Sequence, residues 1–195
     1  KVAFLLEAFS QARSGDRLKV LDVGCGVGLI HPFLATSVDE LHAMDASEES
    51  LAIARRNNPT VQYRAHQGQR LPYADGTFDS AYAICVLHHV PVSQWQEFAK
   101  EMARVVRRGG RIVVIEHNPL NPATQWIVRG CEIDEDAVLV WPWRLRRVMA
   151  SAGIQDLTLR YFLFTPFEHP VFRRLDRLFE RLPLGAQYVA SGRVA

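Results

Sequence analysis

A chain of 195 residues with 48% hydrophobic and 23% charged residues, 12 Gly and 10 Pro fits one globular domain. That composition excludes collagen-like, disordered and disulfide-scaffold classes. The net charge of +2 is uneven, since residues 141–195 hold nine Arg against four acids while residues 1–140 carry −3, yet no dense basic stripe of the kind that binds nucleic acid emerges.

In chain order, Val2, Leu5, Leu6 and Phe9 repeat at helical spacing, so a helix is expected over 2–13. An apolar strand follows at 18–23 and ends in a glycine cluster. A helix is expected over 28–36, with Pro32 tolerated in its first turn. A second strand at 40–44 leads into a helix from Ser47 to Arg56 with acids at its positive end. Strands at 60–65 and 78–86 flank a turn at 74–76. Pro91 and Ser93 open a helix to Arg107 that Gly109 and Gly110 stop, and a fifth strand takes 111–116. Strand and helix alternate through five units, the pattern of a doubly wound α/β fold with a parallel sheet. Beyond 117 the rhythm breaks. A helix over 142–151, a strand at 154–164, a helix over 171–182 and a last strand at 186–191 complete one domain. No apolar run reaches the ~18 residues of a membrane span. Three cysteines (Cys25, Cys85 and Cys131) without CxxC spacing point to free thiols in the cytoplasm.

The strongest chemical signal is Leu21-Asp22-Val23-Gly24-Cys25-Gly26-Val27-Gly28. Glycines after the first strand let the chain turn sharply and let a ligand lie on bare main chain. A dinucleotide fingerprint would need glycine at position 29, which is Leu29, and no Lys-Ser/Thr pair follows to make a P-loop. Asp45 ends the second strand, beside that loop, where an acid can accept both hydroxyls of a ribose.

With those residues the sequence resembles the class I S-adenosylmethionine-dependent methyltransferases, in the branch of the ubiquinone/menaquinone-biosynthesis methyltransferases. The likeness rests on 21–28, Asp45, the stretch 71–79, Val86-Leu87-His88-His89-Val90, and Val105-Val106-Arg107-Arg108-Gly109-Gly110, in family order over about half the chain. It implies a seven-stranded sheet in the order 3-2-1-4-5-7-6 with strand 7 antiparallel. It also implies a cofactor site: Gly24, Cys25 and Gly26 under the methionine portion, Asp22 holding the loop and the ammonium, and Asp45 on the ribose. Ala46, Gln67 and Gly68 would line the adenine pocket, where Gln67 replaces an acid common in relatives. Ile84 and Cys85 would lie beneath the reacting centre.

Methyl transfer from a sulfonium mainly needs alignment in a dry pocket, and a base only when the acceptor must lose a proton. His117, leaving the fifth strand amid polar neighbours, is the candidate base. His88 and His89 are expected in structural roles, as packed or helix-capping imidazoles, and not as metal ligands, because adjacent residues of an extended chain point apart. No metal site is expected. The segment 117–153, with Trp126, Trp141 and Trp143, is expected to cover the acceptor. Glu132, Asp134, Glu135 and Asp136 read as a solvated surface. The Arg-rich helix reads as a surface helix first and a peripheral lipid contact second. The expected activity is methylation of an oxygen or carbon of a small-molecule acceptor. A non-catalytic cofactor-binding module and an atypical nucleotide-sugar or dinucleotide enzyme are the alternatives. Oligomeric state is open.

Overall fold

In the computed structural model, which describes residues 1–131, 136–164 and 178–195, seven strands form one sheet in the order β3-β2-β1-β4-β5-β7-β6. β1 (Lys19–Val23), β2 (Glu40–Asp45), β3 (Gln62–Ala65), β4 (Phe78–Ile84) and β5 (Val106–His117) run parallel. β7 (Gln187–Val194) is antiparallel both to β5 and to β6 (Ile154–Phe162). This is the order and the reversed strand that the resemblance implies. The chain winds from β1 outward to β3 and then crosses to β4, so the sheet switches direction between β1 and β4. Open α/β sheets bind ligands beyond the strand ends at such a point.

The helices are α1 (Val2–Ala12), α2 (Glu48–Asn57), α3 (Trp95–Val105), α4 (Pro122–Arg129) and α5 (Pro142–Ser151). Successive strand residues face opposite sides, so Val20 and Leu21 divide between two cores. One gathers Leu21, Ala81, Val114 and Tyr188 with Trp95 and Met102 of α3 and Leu145 and Met149 of α5. The other gathers Val20, Tyr82, Val113 and Val189 with Leu5 and Phe9 of α1.

The stretch 71–79 earns its place by hydrogen bonding. Arg104 donates to the carbonyls of Leu71 and Tyr73 and to Asp75, while Glu101 accepts from the Leu71 amide and from Arg104. Asp79 accepts from the Lys19 amide and from Arg107. That fastens the loop before β4 to α3 and to the start of β1.

Two expectations need correction, and one element is added. The helix expected over 28–36 is only a 3-10 turn, His31–Phe33, because Pro32 lacks an amide hydrogen and His31 is drawn fully inward by side-chain hydrogen bonds. Gly109 and Gly110 do not stop a helix. α3 ends at Val105, β5 is already under way at Val106, and a Cβ on Gly110 would sit 2.5 Å from the Asp79 carbonyl oxygen. The segment after β5 contains α4, capped by Asn121, which accepts from the Thr124 amide. Glu132, Asp134, Glu135 and most of the helix expected over 171–182 lie outside the described residues. No helix among the described residues is long and apolar enough to cross a membrane.

Candidate active site

At the carboxyl ends of β1, β2, β3 and β4 the chain leaves a cavity of about 1090 Å³. All ten residues expected to meet the cofactor line it: Asp22, Gly24, Cys25, Gly26, Asp45, Ala46, Gln67, Gly68, Ile84 and Cys85. The glycine loop is tied to β2, since the amides of Gly24 and Cys25 both donate to the Met44 carbonyl at 2.8 and 2.9 Å. Gly24 has φ +81 and lies against Val86, so its turn tolerates no side chain. Gly26 has φ +52, and a Cβ built there would meet nothing within 4 Å. Its bare face is a cradle open to a ligand.

Asp45 accepts from the Gly26 amide through Oδ2 at 2.7 Å and from the Ser47 amide through Oδ1 at 2.9 Å. It therefore fixes the glycine loop and the entry to α2 at once. A carboxylate has about four acceptor positions, so two remain for ligand hydroxyls. Gln67 donates its amide nitrogen to the Ala46 carbonyl at 3.1 Å, which leaves its oxygen as the acceptor. Beside it His66 lines the cavity with a buried Nε2 that has no hydrogen-bond partner. Sequence reasoning missed His66, as it missed Leu71, Phe98 and Met102, which add apolar wall to the cavity.

Under the glycine loop Asp22 is 3% exposed. Its Oδ2 lies 2.9 Å from His31 Nε2, and His31 Nδ1 lies 2.6 Å from the Tyr63 hydroxyl. Burial pushes the Asp22 carboxyl above its ordinary range, and His31 opposes that rise. Burial, with the charges of Asp22 and Asp45, also pushes the Cys25 thiol far up, so Cys25 is a packing residue and no thiolate.

At the far side, Cys85 has φ +56, a rarely occupied conformation for a residue with a side chain, and its amide donates to the Ile115 carbonyl. His88 and His89 lie in a 3-10 turn, Leu87–His89, with ring centres 4.1 Å apart, so the extended geometry expected for them does not hold. Glu116 is fully buried and accepts from the amides of Val86 and Leu87 and from His88 Nδ1 at 2.5 Å. His89 lines the cavity. His117 does not; its ring centre is 5.3 Å from that of His88. None of the described residues of 117–153 lines the cavity either. Trp126 is 79% exposed, and Trp141 and Trp143 stack on each other at 4.7 Å. The rim is formed instead by Val2, Leu29, Phe33, Val90 and Pro91. Among the described residues no group of three or more His, Cys, Asp or Glu could hold a metal ion.

Residues 21–114 match a methyltransferase-domain family. Among solved structures the fold is similar to an S-adenosylmethionine-dependent methyltransferase of Archaeoglobus fulgidus (TM-score 0.74, 16% identity, 98% of this chain and 92% of that one). A possible histamine N-methyltransferase of Thermotoga maritima gives a TM-score of 0.71 at 19% identity, over 100% and 91% of the two chains. Over 173 residues, 81% of this chain and 68% of its relative, the sequence is 30% identical to the ubiquinone biosynthesis O-methyltransferase of Rhizobium etli. The chain belongs to the class I S-adenosylmethionine-dependent methyltransferases. Another methyltransferase, the phosphatidylethanolamine N-methyltransferase of Cereibacter sphaeroides, is 34% identical over 116 residues, 56% of this chain and 54% of that protein. The cofactor of this methyltransferase is S-adenosylmethionine, and the open face of Gly26, the spare acceptor positions of Asp45 and the unpartnered His66 nitrogen fit that molecule.

Proposed function

We propose that the protein methylates an oxygen of a small, largely apolar molecule, with the cofactor along the strand ends and the acceptor at the Leu29, Phe33 and His89 side of the same cavity. The observation that carries this reading is the convergence of the ten loop and strand-end residues on one cavity large enough for both molecules. Drug-sized ligands fill roughly 300–1,000 Å³.

When bound, the cofactor supplies an electron-poor methyl carbon, and the chain's task is placement. Asp22 takes the ammonium and Asp45 the ribose hydroxyls. Gln67 and His66 meet the edge of the adenine between Leu71 and Met102. Ile84 and Cys85 form the floor under the reacting carbon. A hydroxyl acceptor must lose its proton as the bond forms. His89 serves as that base, in preference to His117, because it reaches the cavity and stands on a turn that Glu116 and His88 hold rigid. The exposed side chains of Leu29 and Phe33 offer an apolar acceptor a contact surface beside the cavity. The cytoplasm, where thiols stay reduced, suits three free cysteines.

The test is calorimetric titration with S-adenosylhomocysteine, followed by transfer of labelled methyl to phenolic, amine and phosphatidylethanolamine acceptors. Binding together with label on a phenolic oxygen is the expected result. Absence of binding would remove the cofactor assignment, and label on an amine alone would remove the acceptor assignment.

A further inference from the structure

We infer that His31 is a positioning residue for the amino-acid end of the cofactor, acting through Asp22; this rests on the cofactor placement proposed above. His31 is fully buried and does not line the cavity, so it cannot touch a ligand itself. Its position is nonetheless fixed at both ring nitrogens, by Asp22 Oδ2 at 2.9 Å and by the Tyr63 hydroxyl at 2.6 Å. An ionised carboxylate only accepts hydrogen bonds. His31 Nε2 must therefore carry the hydrogen, and the Tyr63 hydroxyl donates to Nδ1 whenever the ring is neutral. The chain Tyr63–His31–Asp22 thus has one direction of donation, ending on a carboxylate at the cavity wall.

The groups around that carboxylate show why the imidazole is needed. Asp45 faces it from β2, Tyr82 from β4 and the Cys25 thiol from the glycine loop, while the neutral Asn58 amide holds the Gly28 carbonyl at 3.3 Å. Each of these titratable neighbours is an acid. His31 is the base among them, and it does most to favour the ionised form of Asp22 against burial, with the Tyr82 hydroxyl adding a smaller share. With Oδ2 engaged by His31, Asp22 keeps acceptor capacity at the cavity wall for a cationic ligand group. The same two hydrogen bonds hold the His31–Phe33 turn in place of a longer helix, so the local fold and the electrostatics of the site have one origin.

The experiment compares two ligands on the full chain by calorimetry. S-adenosylhomocysteine carries the amino-acid end, and 5′-methylthioadenosine keeps the nucleoside and sulfur without it. His31→Leu should weaken the first by about tenfold or more, the scale of a lost hydrogen bond to a charged group, and leave the second within about twofold. His31→Gln, which retains an N–H donor, should recover most of the loss. Asp22→Asn should match His31→Leu, with no further loss in the double variant. Asp45→Ala should weaken both ligands. Should His31→Leu fail to fold, Tyr63→Phe gives the milder form of the same pattern. Equal weakening of both ligands by the His31 variants, or of neither, would overturn the inference. Wild-type protein that binds neither ligand would overturn the cofactor placement instead.

Discussion

Two imidazoles at the same end of the sheet show how much a single side chain's direction decides. His89 follows the end of β4 and His117 is the last residue of β5, yet only His89 lines the cavity. If His89 is the base, His89→Ala should lower kcat by about 10²–10⁴-fold, the usual worth of positioned proton transfer, with the KM for cofactor nearly unchanged. His117→Ala should retain most of the turnover. Steady-state kinetics on a phenolic acceptor check both. An equal loss in the two variants would mean that the turn is merely disturbed. Sequence favoured His117 because polar neighbours mark a site, whereas the direction of a side chain depends on the 3-10 turn. That turn is set by Glu116, 28 residues away from His88.

Helix and strand boundaries that follow from local chemistry were readable. Ser47 before two acids announces α2, and its hydroxyl does accept from the Ser50 amide. The glycine pair at 109–110 misled because glycine at a helix end and glycine in a crowded strand look alike in one dimension. Only the pairing of β4 with β5, with its irregularity between Phe78 and Ser80, brings the Asp79 carbonyl against Gly110. The same crowding makes a prediction. Gly110→Ala should destabilise the fold by about 1–3 kcal/mol through overpacking, read as a lower thermal midpoint, although alanine normally favours regular structure over glycine. The His31–Phe33 turn was hidden for a related reason, since its partner Tyr63 stands 32 residues further along the chain. The family order of the motifs, by contrast, made the sheet order and the reversed last strand readable in advance.

Across the whole molecule, the loop before β4 joins the cavity to the stability of the fold. Glu101 is held below the usual carboxylate range, first by its hydrogen bond from Arg104, while burial acts against that and the Leu71 amide adds to it. A carboxyl with a depressed folded-state pKa lends stability that is present above its unfolded value and lost as pH falls through its folded one. Arg104→Ala should therefore cost roughly 1–3 kcal/mol near neutral pH, and the difference from wild type should shrink in acid; chemical denaturation at both pH values measures it. A constant difference would assign Arg104's contribution to packing instead. The reversed direction of β7 has one more effect. It carries the chain from Gln187, beside His117, back to Arg193, beside Arg111, so that Ala195 lies at the rear of the sheet. Lys1 and Val2 stand at the mouth of the cavity. A protein held to a sensor chip through the exposed Ala195 would therefore turn its ligand pocket toward the flowing solution.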